Sequence, residues 1–305
     1  MKPIIPPVDK KILLTELTKE RFIRQANNGP NEIYIFNEAE SPALMRETAR
    51  LREITFRDAG GGTGQELDMD VYDTGKENFQ QLIVWSPEDQ AIVGGYRFIH
   101  CKYLPVDSDG HVKTPTSKLF AYSKIFVEDY IPYTIELGRS FVQPDYQPAN
   151  NLRKGMYALD NLWDGLGALI TLYPDARYFF GKVTMYQHFN KYARDLVLFF
   201  MKKYFPDPDK LVFPHEPLDL FHPEEEISQL FAGYSYDESY KILVQTVRKH
   251  GENVPPLVNA YMSLSSTMKS FGTAFNGPFG NVEETGILVT IDDIYSDKME
   301  RHILR

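Results

Sequence analysis

From Thr134 to Phe205 the chain alternates twice between extended and helical spacing, an order that few folds accept. Thr134 to Val142 and Arg177 to Met185 read as strands. Leu159, Leu162, Trp163, Leu166, Ile170 and Tyr173 mark an amphipathic helix that stops before Pro174, and Phe189 to Phe205 a second one. Such strand–helix–strand–helix units favour the α/β class, a mixed central sheet flanked by helices. Upstream, Ser41-Pro42 opens a helix, serine as cap and proline in the first turn, that continues to about Phe56. Phe79 to Trp85 and Ala91 to His100 flank a turn-rich link and read as a hairpin. Past the proline- and acid-rich stretch Pro206 to Glu226, helices are expected near Asp237 to His250 and Pro256 to Leu264, and a strand at Gly286 to Ile291. A late strand more often joins an existing sheet than founds a domain. Residues 1–305 are therefore read as one unit, a core over about 30–205 and a C-terminal extension over about 206–305.

Cys101 is the only cysteine, which rules out an internal disulfide and points to a reducing, cytoplasmic setting. The prolines among the first residues do not suit a signal peptide, and the longest apolar run, Leu196 to Met201, is far short of the roughly 20 residues a membrane span needs. A net charge of -9 argues against nucleic acid as a partner. The run Gly60-Gly61-Gly62-Thr63-Gly64 follows a helix and lacks a lysine, so it reads as a flexible loop instead of a phosphate cradle. His215 and His222 flank prolines without cysteine partners, and no metal site is expected.

Charge placed inside apolar strands is the distinctive feature. Arg97 follows Val93-Gly94-Gly95-Tyr96, Glu136 and Arg139 sit in Ile135 to Val142, and Asp70 and Asp73 precede the hairpin. Such groups must pair with one another or face a cleft. Strict alternation puts Glu136 and Arg139 on opposite faces, and a bulge at Gly138 would return them to one.

Taken in order, these segments resemble the GNAT-like acyltransferases that include the ornithine-lipid and glycine-lipid N-acyltransferases, and are more distantly similar to acyl-homoserine lactone synthases. The pieces are Leu51-Arg52-Glu53-Ile54-Thr55-Phe56, Asp70-Val71-Tyr72-Asp73, Val93-Gly94-Gly95-Tyr96-Arg97 and Glu136-Leu137-Gly138-Arg139 with its exit to Tyr146. Leu162-Trp163-Asp164-Gly165-Leu166, Phe180-Gly181-Lys182-Val183 and Pro255 to Tyr261 follow. The resemblance implies a GNAT-like fold and transfer of a long-chain, or 3-hydroxy, fatty acyl group from a carrier thioester to an amino acid such as glycine or ornithine. It implies that Glu136 and Arg139 act in catalysis, with Glu136 as general base. Arg52, Asp70, Asp73 and Arg97 would line the substrate cleft, the aspartates holding the ammonium and Arg97 or Arg139 the carboxylate. A backbone amide on the strand ending near Val142 would stabilise the oxyanion.

Gln147-Pro148-Ala149-Asn150-Asn151-Leu152 departs from the glycine-rich turn with which ordinary GNAT enzymes cradle the coenzyme A pyrophosphate. That moves the donor toward acyl carrier protein, with acyl-CoA as the alternative. Arg153 and Lys154 are candidates to meet the carrier's acidic surface. The acyl tail of such a product implies transient contact with the inner membrane. Tyr178-Phe179-Phe180 and Phe199-Phe200 read as core before they read as an acyl channel. The competing readings are a homoserine-lactone signal synthase and a non-catalytic carrier-binding module.

Overall fold

The structure, a computed structural model, describes residues 1–74, 79–147, 150–155 and 157–302. Its strands are β1 (Phe22–Gln25), β2 (Glu32–Phe36), β3 (Gln80–Ser86), β4 (Ala91–His100), β5 (Phe120–Tyr122), β6 (Thr134–Val142), β7 (Tyr178–Met185), β8 (Val212–Pro214), β9 (Lys269–Asn276) and β10 (Val282–Thr290). Eight of them form one sheet in the order β1-β2-β3-β4-β6-β7-β10-β9, and β5 pairs with β8 apart from it. The helices are α1 (Lys10–Glu16), α2 (Pro42–Asp58), α3 (Val71–Thr74), α4 (Leu152–Gly155), α5 (Ala158–Leu172), α6 (Lys191–Tyr204), α7 (Glu224–Gln229), α8 (Tyr236–Lys249), α9 (Pro256–Met262) and α10 (Ser296–His302). Mixed α/β architecture is what the alternating spacing called for.

The sheet separates two apolar layers. On one side Leu44, Met45 and Ala49 of α2 pack on Ile83, Trp85 and Phe141. On the other, Leu162, Leu166 and Leu169 of α5 and Leu196, Val197 and Phe200 of α6 pack on Leu82, Val84 and Phe98. Alternation along β3, and along β4 apart from an irregularity near Val93, sends neighbouring side chains into opposite layers, which is why both strands read as nearly continuous apolar runs.

Several local expectations need correction. Ser41 stands at the start of α2 but makes no capping bond. The Glu16 carboxylate, from the end of α1, accepts the N–H groups of Ala43 at 3.1 Å and Leu44 at 2.8 Å instead. Helix α6 begins at Lys191, because the Asn190 side chain accepts from the backbone of Tyr192 and Ala193. The glycine run 60–64 is latched and not loose. Glu53 accepts from the Thr63 N–H and hydroxyl and from the Gly64 N–H, and Gly280 lies so close that a Cβ there would stand 2.6 Å from the Gly61 backbone. Strand β10 starts four residues earlier than expected, and β9 carried no sequence signal.

Two features shape the middle of the sheet. All neighbouring strands of it pair antiparallel except β6 and β7. That parallel pairing covers only Thr134↔Tyr178 to Glu136↔Phe180, after which the strands diverge, while β7 stays paired with β10 from Tyr178 to Met185. The result is a V with Glu136 at its apex. Gly181 permits the close approach there, since a Cβ would sit 2.8 Å from the Leu137 carbonyl oxygen. The second feature is a bulge. The β4–β6 ladder passes from Gly95↔Phe141 to Arg97↔Gly138, so β6 carries one extra residue, and Arg139 adopts φ +56°.

Candidate active site

The bulge does what alternation forbids. Glu136, Gly138 and the Arg139 guanidinium end up on the α2 side of the sheet, where Arg97 also points: a Cβ on Gly138 would lie 3.7 Å from Arg97 Nε. There the charged residues of four separate segments meet. Arg52 on α2 donates Nε to Asp68 at 3.0 Å and grips Asp73 with both Nη groups at 3.2 Å. Arg97 on β4 holds Asp70 two-pronged, at 2.8 and 3.0 Å, and donates to Asp73 at 3.0 Å. Gln81 on β3 donates to Asp73 at 3.0 Å, and Arg139 Nε donates to Asp68 at 3.0 Å. Bidentate guanidinium–carboxylate geometry satisfies donors and acceptors together, which is what makes such a buried lattice tolerable.

Arg52, Asp68, Asp73 and Arg97 are fully buried in it. Burial pushes the Asp73 carboxyl up, but the flanking Arg52 and Arg97 charges overcome it and hold it far below the usual range. Asp70 is depressed in the same way, mainly by Arg97 against its own burial. Its side chain is 29% exposed and that of Arg139 16%, so these two alone carry the lattice to an open surface. The Arg139 guanidinium also lies 3.9 Å from the Phe279 ring centre.

Glu136 is different. Its Oε1 accepts from the Thr116 hydroxyl at 2.8 Å and the Thr116 N–H at 3.2 Å, whereas Oε2 is buried without a partner. Burial raises its pKa, opposed by the charge of Lys182 and by the Thr116 bonds. A carboxyl so placed takes up a proton more readily than an exposed one.

Two small cavities open on the diverging strands. One, about 60 Å³, has a mixed lining in which Arg139, Lys182 and Glu284 stand beside Phe56, Leu257 and Phe279. The other, about 30 Å³, is apolar and lies against Leu159, Leu162, Trp163 and Leu166 of α5. Both touch Leu137, Ser140, Leu257 and Tyr261, so the V joins them. Glu136 lines neither, standing just behind at the apex. A larger cavity, about 770 Å³, lies elsewhere, between α6, β9 and the loop after α6, and touches none of these charged groups.

The site thus joins a gap between parallel strands, a bulge beside it and a buried carboxyl at its apex. Residues 51–154 match the acetyltransferase (GNAT) domain. Glycine N(alpha)-acyltransferase of Bacteroides thetaiotaomicron is 52% identical over 99% of this chain and 90% of its own length. Glycine N(alpha)-acyltransferase of Phocaeicola vulgatus is 49% identical over 99% and 93%. The chain belongs to the GNAT-like N-acyltransferase family. No solved structure matches it.

Within this GNAT-like N-acyltransferase all six residues expected at the site occupy one side of the sheet. Arg52, Asp73 and Arg97 are interior and paired, while Asp70 and Arg139 reach the surface and Glu136 the apex. Sequence reasoning singled out the acidic segment Leu67 to Asp73 without assigning a role to its Asp68, which ties Arg52 to Arg139, and missed Glu284, hidden in a strand whose start was misread. Lys182 had been noted only as part of a strand. Asn150 donates to Pro144 O and Gln147 to Val142 O, so these side chains close the exit of β6. Pro148 and Ala149, and the Arg153 side chain suggested for carrier contact, lie outside the described residues. Lys154 is paired with Asp89 at 2.7 Å. Among the described residues Asp107, Asp109 and His111 could converge on a cation, but all are exposed and Asp107 already accepts two backbone N–H bonds of its own turn. No helix among the described residues is long and apolar enough to cross a membrane.

Proposed function

We propose that this enzyme transfers a long-chain acyl group from a carrier thioester to the amine of glycine, forming an N-acylglycine. One observation carries the reading. A single V opens to an apolar cavity over α5 and to a charged cavity facing β10, which suits a greasy donor on one side and a zwitterionic acceptor on the other. The names of both relatives, glycine N(alpha)-acyltransferase, support glycine as that acceptor.

In this reading the glycine ammonium loses a proton to Glu136 through an intervening water, and the freed amine attacks the thioester carbonyl. A C–N bond forms while the carbonyl electron pair moves to oxygen. Alternate N–H groups of β6 beyond Glu136 point away from β4 into the V, where they can hold that oxyanion. Collapse breaks the C–S bond. The thiolate leaves with one of the two protons shed by nitrogen, and the other goes to solvent. Arg52, Asp68, Asp73 and Arg97 serve as positioning residues that fix Arg139 and Asp70 at the rim.

We infer a protein carrier as donor, because the turn after β6 directs Gln147 and Asn150 to its own carbonyls and has no glycine for a pyrophosphate cradle. The product's tail would bring a cytoplasmic, single-unit enzyme to the inner membrane surface as a peripheral visitor. The test is incubation of the pure protein with palmitoyl- or 3-hydroxypalmitoyl-carrier, or the matching coenzyme A thioesters, and a panel of amino acids. Mass spectrometry should find N-acylglycine with loss of thioester. Absence of any glycine adduct with every donor would refute the proposal.

A further inference from the structure

Lys182 and Glu284 are two further charged groups at the V, outside the lattice. They stand on adjacent strands, where Gly286 pairs with Lys182 and Thr184 with Glu284, so the two are diagonal neighbours with Nζ 3.4 Å from Oε2. Asn276 donates to the same Oε2 at 3.0 Å. Beyond these contacts the structure shows Lys182 and Glu284 no hydrogen-bond partner among the described residues, although both are nearly buried. Arg139 faces the same cavity and uses only its Nε fully, on Asp68; its Nη2 is 3.8 Å from Asp70. Two cations and one anion with open valences around a common space complement a carboxylate beside an ammonium.

The space is also small. The cavity's volume is about 60 Å³. Its walls are stiff. Phe279 stacks edge-on against Phe56 with ring centres 5.1 Å apart and backs Arg139, and Thr184 closes the β7 side.

We propose that Arg139, Lys182 and Glu284 form the acceptor site, the two cations binding the amino acid's carboxylate and Glu284 its ammonium, and that Phe279 and Thr184 exclude any substituent on its Cα. This rests on the N-acyltransferase reading above and supplies a physical reason for glycine. Leu137 and Ser140 line both cavities, which puts this site beside the apolar one.

Steady-state assays with glycine and L-alanine, together with saturation-transfer NMR of glycine on the resting protein, test it. E284Q and K182M should each raise the glycine KM at least tenfold and weaken the NMR signal, with the thioester KM within twofold and the melting curve retained. T184A should raise the alanine-to-glycine ratio of kcat/KM about tenfold, the usual worth of a methyl-sized change in a pocket. If wild type acylates glycine and both E284Q and K182M keep its KM, this site is wrong and the function stands. If wild type acylates nothing but binds glycine in a Glu284-dependent way, the site stands and the proposed reaction falls.

Discussion

The lattice under α2 and the cavity beside β7 are built from the same side chains, carboxylates with guanidinium or ammonium groups, a few residues apart on the same sheet. They differ in saturation. In the lattice Arg52 and Asp73 engage each other with both arms, and each has a further partner in Asp68, Gln81 or Arg97. Around the V, Glu136 keeps a bare buried oxygen, and Lys182 and Glu284 make few contacts. A satisfied charge network rigidifies, whereas an unsatisfied one stores affinity for whatever completes it. Charge within an apolar strand therefore locates a site, and dense ion pairing marks its foundation, even though Arg97 Nε there also lacks a partner among the described residues.

Substitutions on either side of that line should fail in different ways. The largest effect is expected from Glu136→Gln. The amide oxygen can still accept from Thr116, so the fold should persist while kcat drops by about 10²–10⁴, the range for losing a general base. A normal rate in a folded E136Q would transfer the base role to another carboxylate, Glu284 first. Arg52→Met should act on stability, because it takes a buried cation from Asp68 and Asp73 and leaves them only Arg139 and Arg97, at up to about 3–5 kcal/mol. Chemical denaturation measures this, and a midpoint unchanged from wild type would mean the lattice is not structural. Phe279→Leu removes the ring under Arg139, where a cation–π contact contributes about 0.5–2 kcal/mol, so the glycine KM should rise roughly 2- to 30-fold with kcat little altered.

The smallest effect is one of pH, and its sign separates the two regions. Glu136 titrates above its ordinary value in the fold, so its contribution is intact in acid and is lost as pH rises through that raised pKa. E136Q should therefore match wild type in melting temperature near pH 4 and exceed it by a few degrees at pH 8. Asp70 and Asp73 titrate below theirs, so the lattice contributes fully above the usual carboxylate range and weakens as pH falls through their depressed values. The stability of D73N should then fall less than wild type's between pH 4 and pH 2. Melting curves in that window decide it, and parallel loss in both proteins would remove Asp73 from the acid transition.

Much of the fold was legible because periodicity is local. Helix α5 ends at Leu172, short of Pro174, and β4 and α8 fall within a residue of their expected bounds. β9 was not legible, since Lys269-Ser270-Phe271-Gly272-Thr273 alternates weakly and gains its shape from pairing with β10. At the site, Glu136 and Arg139 could be singled out as charges in an apolar run, but their shared face hung on a bulge. That bulge formed at Arg139 itself, a non-glycine residue at positive φ, one position past the glycine that suggested it.

The one-dimensional chain thus determined the α/β class, the helical and extended segments, and the family, all of which follow from patterns over neighbouring residues or from ordered motifs along its length. Three-dimensional packing decided which charges neutralise one another, where β6 parts from β7, and that Glu284, far along the chain, faces Lys182 and Arg139 across one small cavity. The reason is physical. A hydrogen bond's worth depends on the neighbours that exclude water from it, and those neighbours are assembled only when strands distant in sequence lie side by side.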